Sequence, residues 1–352
     1  MSTLFKRSKE SAPSSASSGE HSPRPSNEKL SRQELAALHG AFKEIDTNYK
    51  ALEPALRTNQ VPQAKELLAP LDTVHLACGK NPSATLALSQ VLSDMPPVTA
   101  HAIRLAVWGY ISAYAFGLST EQAKTLSQTL LLTGLGKGQL NEAQLQRLGP
   151  CKVTPNSCLH LELSIRTLYK LKGVPKPIFE TMENYCERID GSGYPNKKSG
   201  ESVPYLSQLA ALIEAYELFV NPLAKIEAIL PTEALAELQK HQDTHFDAEH
   251  IANFTRAVGI YPPGTFVMLN SGGTAVILEH NGVSKHHARI ALLSEKNNQR
   301  LKSPKIMDLF TEKKDLIIGL AVPNHLVPKE FLRTSRELFI GGGGGWFGKS
   351  IW

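Results

Sequence analysis

Three histidines near the end of the helical part of the chain are spaced as metal ligands can be. His241 and His245 lie four residues apart, which places two imidazoles on one face of a helix, and His250 follows. Imidazole pairs of this kind bind zinc in many proteins. No fourth ligand or acidic motif accompanies them in the sequence, so we interpret them as a solvated helix face. His286 and His287, in a turn-to-strand region, receive the same interpretation.

The cysteines form no CxxC motif and have no zinc-ligand spacing; they are Cys78, Cys151, Cys158 and Cys186. The N-terminal residues MSTLFKRSKESAPSS lack the roughly 7–15-residue apolar core of a signal peptide, so we expect a cytoplasmic protein. In a reducing compartment we expect four free thiols and no disulfide.

The most informative segment is ERIDGSGYP, residues 187–195. Gly191 and Gly193 permit a tight turn with positive φ, and Pro195 fixes its exit. Arg188 and Asp190 place opposite charges at the base of this loop. The residues that this loop offers for contacts are Arg188, Asp190, Gly191, Ser192, Gly193, Tyr194 and Pro195.

ERIDGSGYP resembles the diagnostic loop of the HD-GYP family, the bacterial phosphodiesterases that hydrolyse cyclic di-GMP. LLTGLGK at residues 131–137 stands where the family has LLHDIGK, and LIEAYELF at 212–219 is similar to its helix with two aspartates. PPGTFVMLNSGGTAVIL resembles its common C-terminal extension. The resemblance covers residues 97–330. It implies a mainly α protein: an HD-type helical bundle with a helical N-terminal lead-in and a small β-containing C-terminal extension.

The family's chemistry requires two or three metal ions, iron or manganese, held by histidine and carboxylate ligands. This sequence departs from the family pattern at those ligands. The HD pair is replaced by Thr133 and Gly134, and the paired histidines before the loop are replaced by Tyr185 and Cys186. The aspartate of the later helix is Glu214. Cys186 would be a poor substitute ligand.

The resemblance leaves a vestigial metal set of His101, His160 and Glu214, and Lys137 matches the family's lysine. Three ligands can hold one ion, but they cannot rebuild a cluster with ions about 3.5–4 Å apart. We interpret the histidines as core residues, with retained ligands as the alternative. Lys137 either contacts a phosphate or is a solvated helix-end lysine. Glu214 and Glu217 share a helix face and would repel an anionic ligand.

Composition excludes several other classes of protein. With 41% hydrophobic and 20% charged residues, the 352-residue chain is ordinary for a globular protein. Its net charge of 38 − 33 = +5 is too small and dispersed to predict nucleic-acid binding. No stretch approaches the roughly 18 apolar residues of a membrane helix, so no membrane span is expected.

Hydrophobic periodicity and turn residues predict the elements that position these side chains. Helices are expected at 99–116, after the capping pair Ser119 and Gln122, and at 206–220; others should begin at Pro155, Pro175, Pro231 and Asp247. Short strands are expected at FVML, TAVIL, ARIALL and residues 316–321. The predicted segments are a disordered tail (1–30), a helical N-terminal region (31–96), the degenerate HD-GYP domain (97–260), a β-containing extension (261–335) and a Gly-rich aromatic tail (336–352).

The last segment carries exposed aromatic residues after a five-glycine spacer. Trp346, Phe347 and Trp352 could form a short partner-binding peptide, since aromatic side chains are common interface anchors. The alternative is an inert or back-folded tail.

We therefore predict a catalytically degenerate HD-GYP signalling module, a pseudoenzyme without a bound cofactor. It would act through protein contacts of its loop, with a diguanylate cyclase domain as the partner that the resemblance implies, and would bind cyclic di-GMP weakly. One alternative is an active phosphodiesterase with an altered iron or manganese site. Another is a ligand-binding module at residues 264–293.

Overall fold

The computed structural model describes residues 28–58, 62–90, 92, 94–151, 153–280, 288–296, 299–312 and 315–321. The predicted disordered tail falls almost entirely outside the described residues. So do His286, His287 and the aromatic side chains Trp346, Phe347 and Trp352. The predictions made for these residues stay predictions.

The helices follow one another along most of the described chain. They are α1 (Arg32–Arg57), α2 (Ala64–Leu68), α3 (Pro70–Lys80), α4 (Pro82–Ser89), α5 (Pro97–Ala113), α6 (Thr120–Lys137), α7 (Glu142–Leu145), α8 (Leu159–Leu168), α9 (Lys176–Glu183), α10 (Tyr205–Val220), α11 (Pro231–Lys240), α12 (Ala248–Val258) and α13 (Leu309–Glu312). Among the described residues, no helix has the length and apolar character needed to cross a bilayer.

Local sequence signals account for the positions of the central helices. Ser119 caps α6 by accepting from the backbone N–H of Gln122, whose side chain accepts in return from the N–H of Ser119. α5 and α10 begin one or two residues before the predicted positions. The helix predicted from Pro155 begins instead at Leu159. Thr154 and Ser157 exchange backbone and side-chain hydrogen bonds there, forming a turn that precedes the helix.

The C-terminal part is a five-stranded antiparallel sheet in the order β4-β3-β2-β1-β5. Its strands are β1 (Phe266–Leu269), β2 (Thr274–His280), β3 (Ala288–Glu295), β4 (Gln299–Asp308) and β5 (Ile317–Leu320). The fold class and the expected strands are confirmed. β4 was not expected, because its sequence QRLKSPKIMD is polar and contains Pro304. An edge strand tolerates both features, since one side pairs with no neighbour.

Both faces of the sheet are covered. Phe266, Val276 and Leu293 belong to the apolar core that includes the helices. Val267 and Ile277, which alternate with them along the strands, belong to a smaller cluster on the opposite face. The alternation follows from the two-residue period of a strand.

The expectation of four free thiols is wrong. Cys158, the residue before α8, forms a disulfide with Cys186 in the turn after α9, with Cα atoms 6.5 Å apart. Cys78 and Cys151 are free. The two bonded cysteines are 28 residues apart in the sequence, so only the packing of α8 beside α9 brings them together.

A close approach between α6 and α8 holds the centre of the bundle. A Cβ atom on Gly136 would overlap the backbone carbonyl of His160 and would lie 2.6 Å from the Oγ of Ser164. The Gly136 N–H donates to that hydroxyl at 2.9 Å. Glycine therefore allows the two helices to touch through their backbones.

We expect Gly136→Ala to lower the free energy of unfolding by about 2–3 kcal/mol, because a backbone carbonyl cannot move aside as a flexible side chain can. Gly138→Ala is the matched control: its Cβ would meet nothing closer than 3.4 Å, and its backbone is helical. Denaturant unfolding of both variants checks this. Equal stability of the two variants would contradict the close approach.

Candidate functional site

The residues of the predicted vestigial site lie at the centre of the bundle, on helices α5, α6, α8 and α10. Lys137, in the last turn of α6, is fully buried. Its Nζ lies 2.6 Å from Oε1 of Glu214 and donates to Oγ1 of Thr133 at 2.7 Å. The interpretation of Lys137 as a solvated helix-end residue is therefore wrong. Its ammonium is half of a buried ion pair.

The charges of this pair determine the protonation of Glu214. Burial raises the pKa of Glu214, but the ammonium of Lys137 brings it well below its usual value. Burial lowers the pKa of Lys137, while Glu214 opposes that change. At neutral pH the carboxylate is ionised and is balanced by a lysine of the same core.

The second carboxylate on α10 has a separate cation. Glu217 is fully buried and forms an ion pair with the Nε of Arg104 through its Oε1. Its Oε2 accepts from Nε1 of Trp108 at 3.1 Å. Burial raises the pKa of Glu217, and Arg104 opposes the rise. The carboxylates expected to repel an anionic ligand are thus each paired with a cation, Glu214 with Lys137 and Glu217 with Arg104.

Both candidate histidines are buried with imidazole nitrogens that lack hydrogen bonds to the described residues. Neither nitrogen of His101 has such a partner, although its Nδ1 lies 3.7 Å from Oε1 of Glu217. His160 donates from Nδ1 to the carbonyl of Ser157 at 3.0 Å, which leaves Nε2 unprotonated and 3.8 Å from Oε1 of Glu214. Burial lowers the pKa of both histidines, so both rings are neutral.

These side chains do not fit the metal cluster that the family resemblance implies. The donor atoms of His101, His160 and Glu214 do not all lie within 4.8 Å of one another. Lys137 already lies on the carboxylate of Glu214, and a cation there opposes a second cation. Thr133 supplies only a neutral hydroxyl, which is occupied by Lys137.

The space beside Gly134 is filled by the N-terminal helix α1. A Cβ on Gly134 would lie 2.8 Å from the hydroxyl of Tyr49 and 2.7 Å from the Cβ of Ala102. The Tyr49 hydroxyl donates to the carbonyl of Leu131. The space that an aspartate at position 134 would need is therefore occupied by Tyr49. The sequence carried no signal for this contact, which joins residues 85 positions apart.

Neither replacement for the paired histidines supplies a ligand. Cys186 is bonded to Cys158, so it offers no thiolate. Tyr185 is buried, and burial together with the nearby Glu214 raises its pKa well above the usual value. A phenol in that state stays protonated.

A small cavity lies beside the ion pair. Its volume is about 30 Å³, and its lining includes His160, Tyr185, Arg188 and Glu214. A water molecule needs roughly 10–15 Å³ of such space, whereas pockets for ligands of drug size enclose roughly 300–1,000 Å³. The cavity therefore accommodates water but not a cyclic dinucleotide.

The loop at residues 187–195 is held by a buried carboxylate at its start and by close backbone packing at Gly193. The buried carboxylate of Glu187 accepts from the N–H groups of Asn196 at 2.7 Å and Lys198 at 2.9 Å. Gly193 packs against the backbone of Glu187 with no room for a Cβ atom. Gly191 has φ 79°, as expected for the turn. The loop is a defined structure whose glycines are required by close contacts.

The loop residues divide into a buried base and an exposed rim. Arg188 is buried, donates to the carbonyls of Tyr185 and Glu187, and lies over the ring of Phe246 at 5.4 Å. It therefore cannot contact a partner, contrary to its place in the predicted contact set. The exposed rim consists of Asp190, Ser192, Tyr194, Pro195, Asn196 and Lys197.

The structure separates the three histidines considered for zinc. His250 contacts the rings of Phe116 and Tyr205. His241 and His245 instead lie beside Cys151, which the sequence did not connect with them.

Truncating Lys137 tests the buried ion pair. We expect Lys137→Ala to lower the free energy of unfolding by about 3–5 kcal/mol, because it leaves the carboxylate of Glu214 buried without a cation. The double variant Lys137→Met with Glu214→Met removes both charges and should recover most of the loss. Denaturant unfolding gives the free energy of unfolding of the wild type, Lys137→Ala and the double variant. A Lys137→Ala protein as stable as the double variant would contradict the pairing.

The same pair has a defined pH dependence. Because the pKa of Glu214 is lower in the folded state than in the unfolded state, its stabilising contribution is complete above about pH 4.5 and is lost as pH falls through the folded-state pKa. The stability difference between the wild type and Glu214→Gln should therefore be constant at neutral pH and shrink in acid. A difference that grows in acid would be inconsistent with an ionised Glu214.

Comparisons with known proteins agree with this architecture. Residues 87–250 match the HD domain family. The chain is 24% identical over 243 residues to a cyclic di-GMP phosphodiesterase of Pseudomonas aeruginosa, an alignment covering 68% of this chain and 58% of that protein. It is also 24% identical over 216 residues to the 3'3'-cGAMP-specific phosphodiesterase 3 of Vibrio cholerae serotype O1, covering 60% of this chain and 45% of that one. The chain thus spans about half the length of these relatives.

A solved structure described as an HDG"Y"P protein from Bdellovibrio bacteriovorus aligns with 62% of this chain and 76% of its own, at a TM-score of 0.45 and 16% identity. Residues 87–250 thus match an HD domain, and this match, the phosphodiesterase relatives and the loop ERIDGSGYP together support membership of the HD-GYP family.

Proposed function

We propose that this chain is a catalytically degenerate HD-GYP signalling module, which acts through protein contacts of its exposed loop rim instead of hydrolysing a cyclic dinucleotide. The partner proposed from the family resemblance is a diguanylate cyclase domain. The observation that carries the proposal is the ammonium of Lys137, 2.6 Å from the carboxylate of Glu214.

The charge balance of the core supports the loss of catalysis. In the family, metal ions supply the positive charge that balances the ligand carboxylates and activates water. Here Lys137 balances Glu214 and Arg104 balances Glu217. An ammonium carries no open coordination position, so it cannot hold or acidify a water nucleophile as a metal does.

Steric filling supports the same conclusion. Tyr49 and Ala102 occupy the space beside Gly134, where the family has its second HD residue. The remaining cavity of about 30 Å³ is too small for a cyclic dinucleotide. Binding of cyclic di-GMP at this position would therefore require the bundle to open, and we expect it to be weak.

The loop supports a role in docking. Its base is fixed by Glu187 and the buried Arg188, so the rim presents a preorganised surface, which lowers the entropic cost of association. The rim includes Tyr194, whose side chain is 38% exposed. Tyrosine is over-represented among the residues that dominate binding energy at interfaces.

We expect no hydrolysis of cyclic di-GMP or 3'3'-cGAMP by protein purified anaerobically and supplied with iron(II) or manganese(II). The physical reason is that no bridged metal pair can form around Lys137 and Gly134. Chromatographic detection of the linear product is the measurement, with the Pseudomonas aeruginosa relative as the active control. Turnover that disappears in Glu214→Ala would establish the alternative, an active enzyme with an altered metal site.

Docking is tested with purified diguanylate cyclase domains by biolayer interferometry. We expect Tyr194→Ser to weaken binding by about tenfold or more, as truncation of an interface tyrosine often does. Tyr169→Ser is the matched control, because this tyrosine is 69% exposed and lies at the end of α8, outside the rim.

Circular dichroism of both variants establishes that they are folded. Equal affinity of Tyr194→Ser and wild type, or an equal loss in Tyr169→Ser, would contradict the docking role of the rim. Failure of the wild type to bind any cyclase domain would contradict the proposed partner.

A further inference from the structure

A second cluster of ligand-type side chains lies at the base of the loop, apart from the Lys137–Glu214 pair. Cys151, His241 and His245 each place one donor atom within 4.8 Å of the other two. No other group of three histidine, cysteine or acidic side chains reaches this proximity within the part of the chain that the structure describes.

Local backbone structure positions the two histidines. His241 follows the last residue of α11, and its carbonyl accepts from the N–H of His245 at 3.0 Å. This turn, in which Asp243 has φ 58°, stacks the two imidazoles with ring centroids 4.6 Å apart. Cys151 reaches them from a separate loop, directly after Pro150. One short-range pair and one long-range residue therefore form the cluster.

The donor atoms are available for coordination. The thiol of Cys151 is free and partly buried. Nδ1 of His245 is buried and has no hydrogen-bond partner among the described residues.

The chemistry of this donor set favours zinc. A thiolate and two imidazoles are ordinary zinc ligands, and three protein ligands with one open position are a recurrent arrangement. Tetrahedral zinc with Zn–N of about 2.0–2.1 Å and Zn–S of about 2.3 Å requires donor atoms roughly 3.3–3.7 Å apart. Donor atoms within 4.8 Å of one another would have to approach by at most about 1–1.5 Å to reach that spacing.

Neighbouring charges are mixed. Burial raises the pKa of Cys151 to about 12, and the guanidinium of Arg188 opposes that rise, so a metal ion must displace the thiol proton. The guanidinium also lies near His245, where its positive charge would oppose a metal ion. Two carboxylates contribute negative charge near the cluster, Glu237 near Cys151 and Asp190 near His245. The two carboxylates offset the guanidinium, so the local field does not exclude a cation bound to a thiolate.

We propose that Cys151, His241 and His245 form a zinc site with its fourth position open to water. The site is independent of the proposed docking role and of the vestigial HD site.

Zinc at this position would stiffen the base of the loop. Thr244, between the two histidines, accepts through its carbonyl from the N–H of Asp190 at 3.0 Å. Phe246, the next residue after His245, lies under the guanidinium of Arg188. A metal ion linking this turn to Cys151 would join the loop rim to the segment that precedes α8.

Cobalt(II) is the probe for the first experiment, because its bond to a thiolate gives a charge-transfer absorption that histidine ligation alone does not. Untagged full-length protein with its disulfide intact is stripped with a chelator and titrated anaerobically with cobalt(II), then with zinc. We expect one equivalent of cobalt to produce the charge-transfer band and zinc to abolish it.

Variants assign the ligands. Cys151→Ser should remove the band, and His241→Ala or His245→Ala should weaken binding by more than about tenfold, the loss seen even when a residue that only orients a ligand is changed. His250→Ala is the matched control and should bind as the wild type does. Glu214→Gln should likewise leave the band unchanged.

Three results would overturn the site. They are the absence of a charge-transfer band in the wild type, a band that persists in Cys151→Ser, or binding that is lost in Glu214→Gln while Cys151→Ser retains it. Zinc should also slow amide exchange at residues 241–246 and at Gly149 in the wild type but not in Cys151→Ser, which separates a defined site from scattered histidines.

Discussion

The contact between the buried ammonium of Lys137 and the carboxylate of Glu214 is the interaction on which the centre of the bundle depends. Burying either charge alone costs several kcal/mol, so both must enter the core together and with good geometry. This requires α6 and α10 to pack side by side, with Thr133 accepting from the ammonium. The pairing of Glu217 with Arg104 and Trp108 applies the same constraint to α5.

Packing around these charges extends well beyond the helices that carry them. Tyr49 of α1 fills the space beside Gly134, and the apolar face of α1 belongs to the same core cluster as the central bundle. The inner face of the sheet contributes Phe266 and Leu293 to that cluster. The apolar cluster and the internally paired charges together hold the helices of the bundle in place.

The loop and the Cys151–His241–His245 cluster show how short-range and long-range determinants combine. ERIDGSGYP specifies its own turn, because Gly191 needs positive φ and Gly193 has no room for a side chain. The orientation of the loop depends on distant residues, through the bond from Asp190 to Thr244 and the stacking of Arg188 on Phe246. The part of the loop available to a partner is therefore decided by burial, which excludes Arg188 and leaves Tyr194 exposed.

The sequence by itself determined the helical bundle, most helix starts, the expected strands and the resemblance to the HD-GYP family, because caps, periodicity and a nine-residue loop motif are local signals. The resemblance also led to the prediction that Thr133 and Gly134 stand in place of the HD pair. It did not reveal β4, whose polar residues are tolerated only at a sheet edge. Tertiary structure alone decided that Lys137 is buried on Glu214, that Tyr49 fills the space at Gly134, that Cys158 meets Cys186, and that Cys151 meets two histidines. Each of these contacts joins segments far apart in the chain. Residue type and spacing are local properties, so they cannot predict such a contact unless the fold is known.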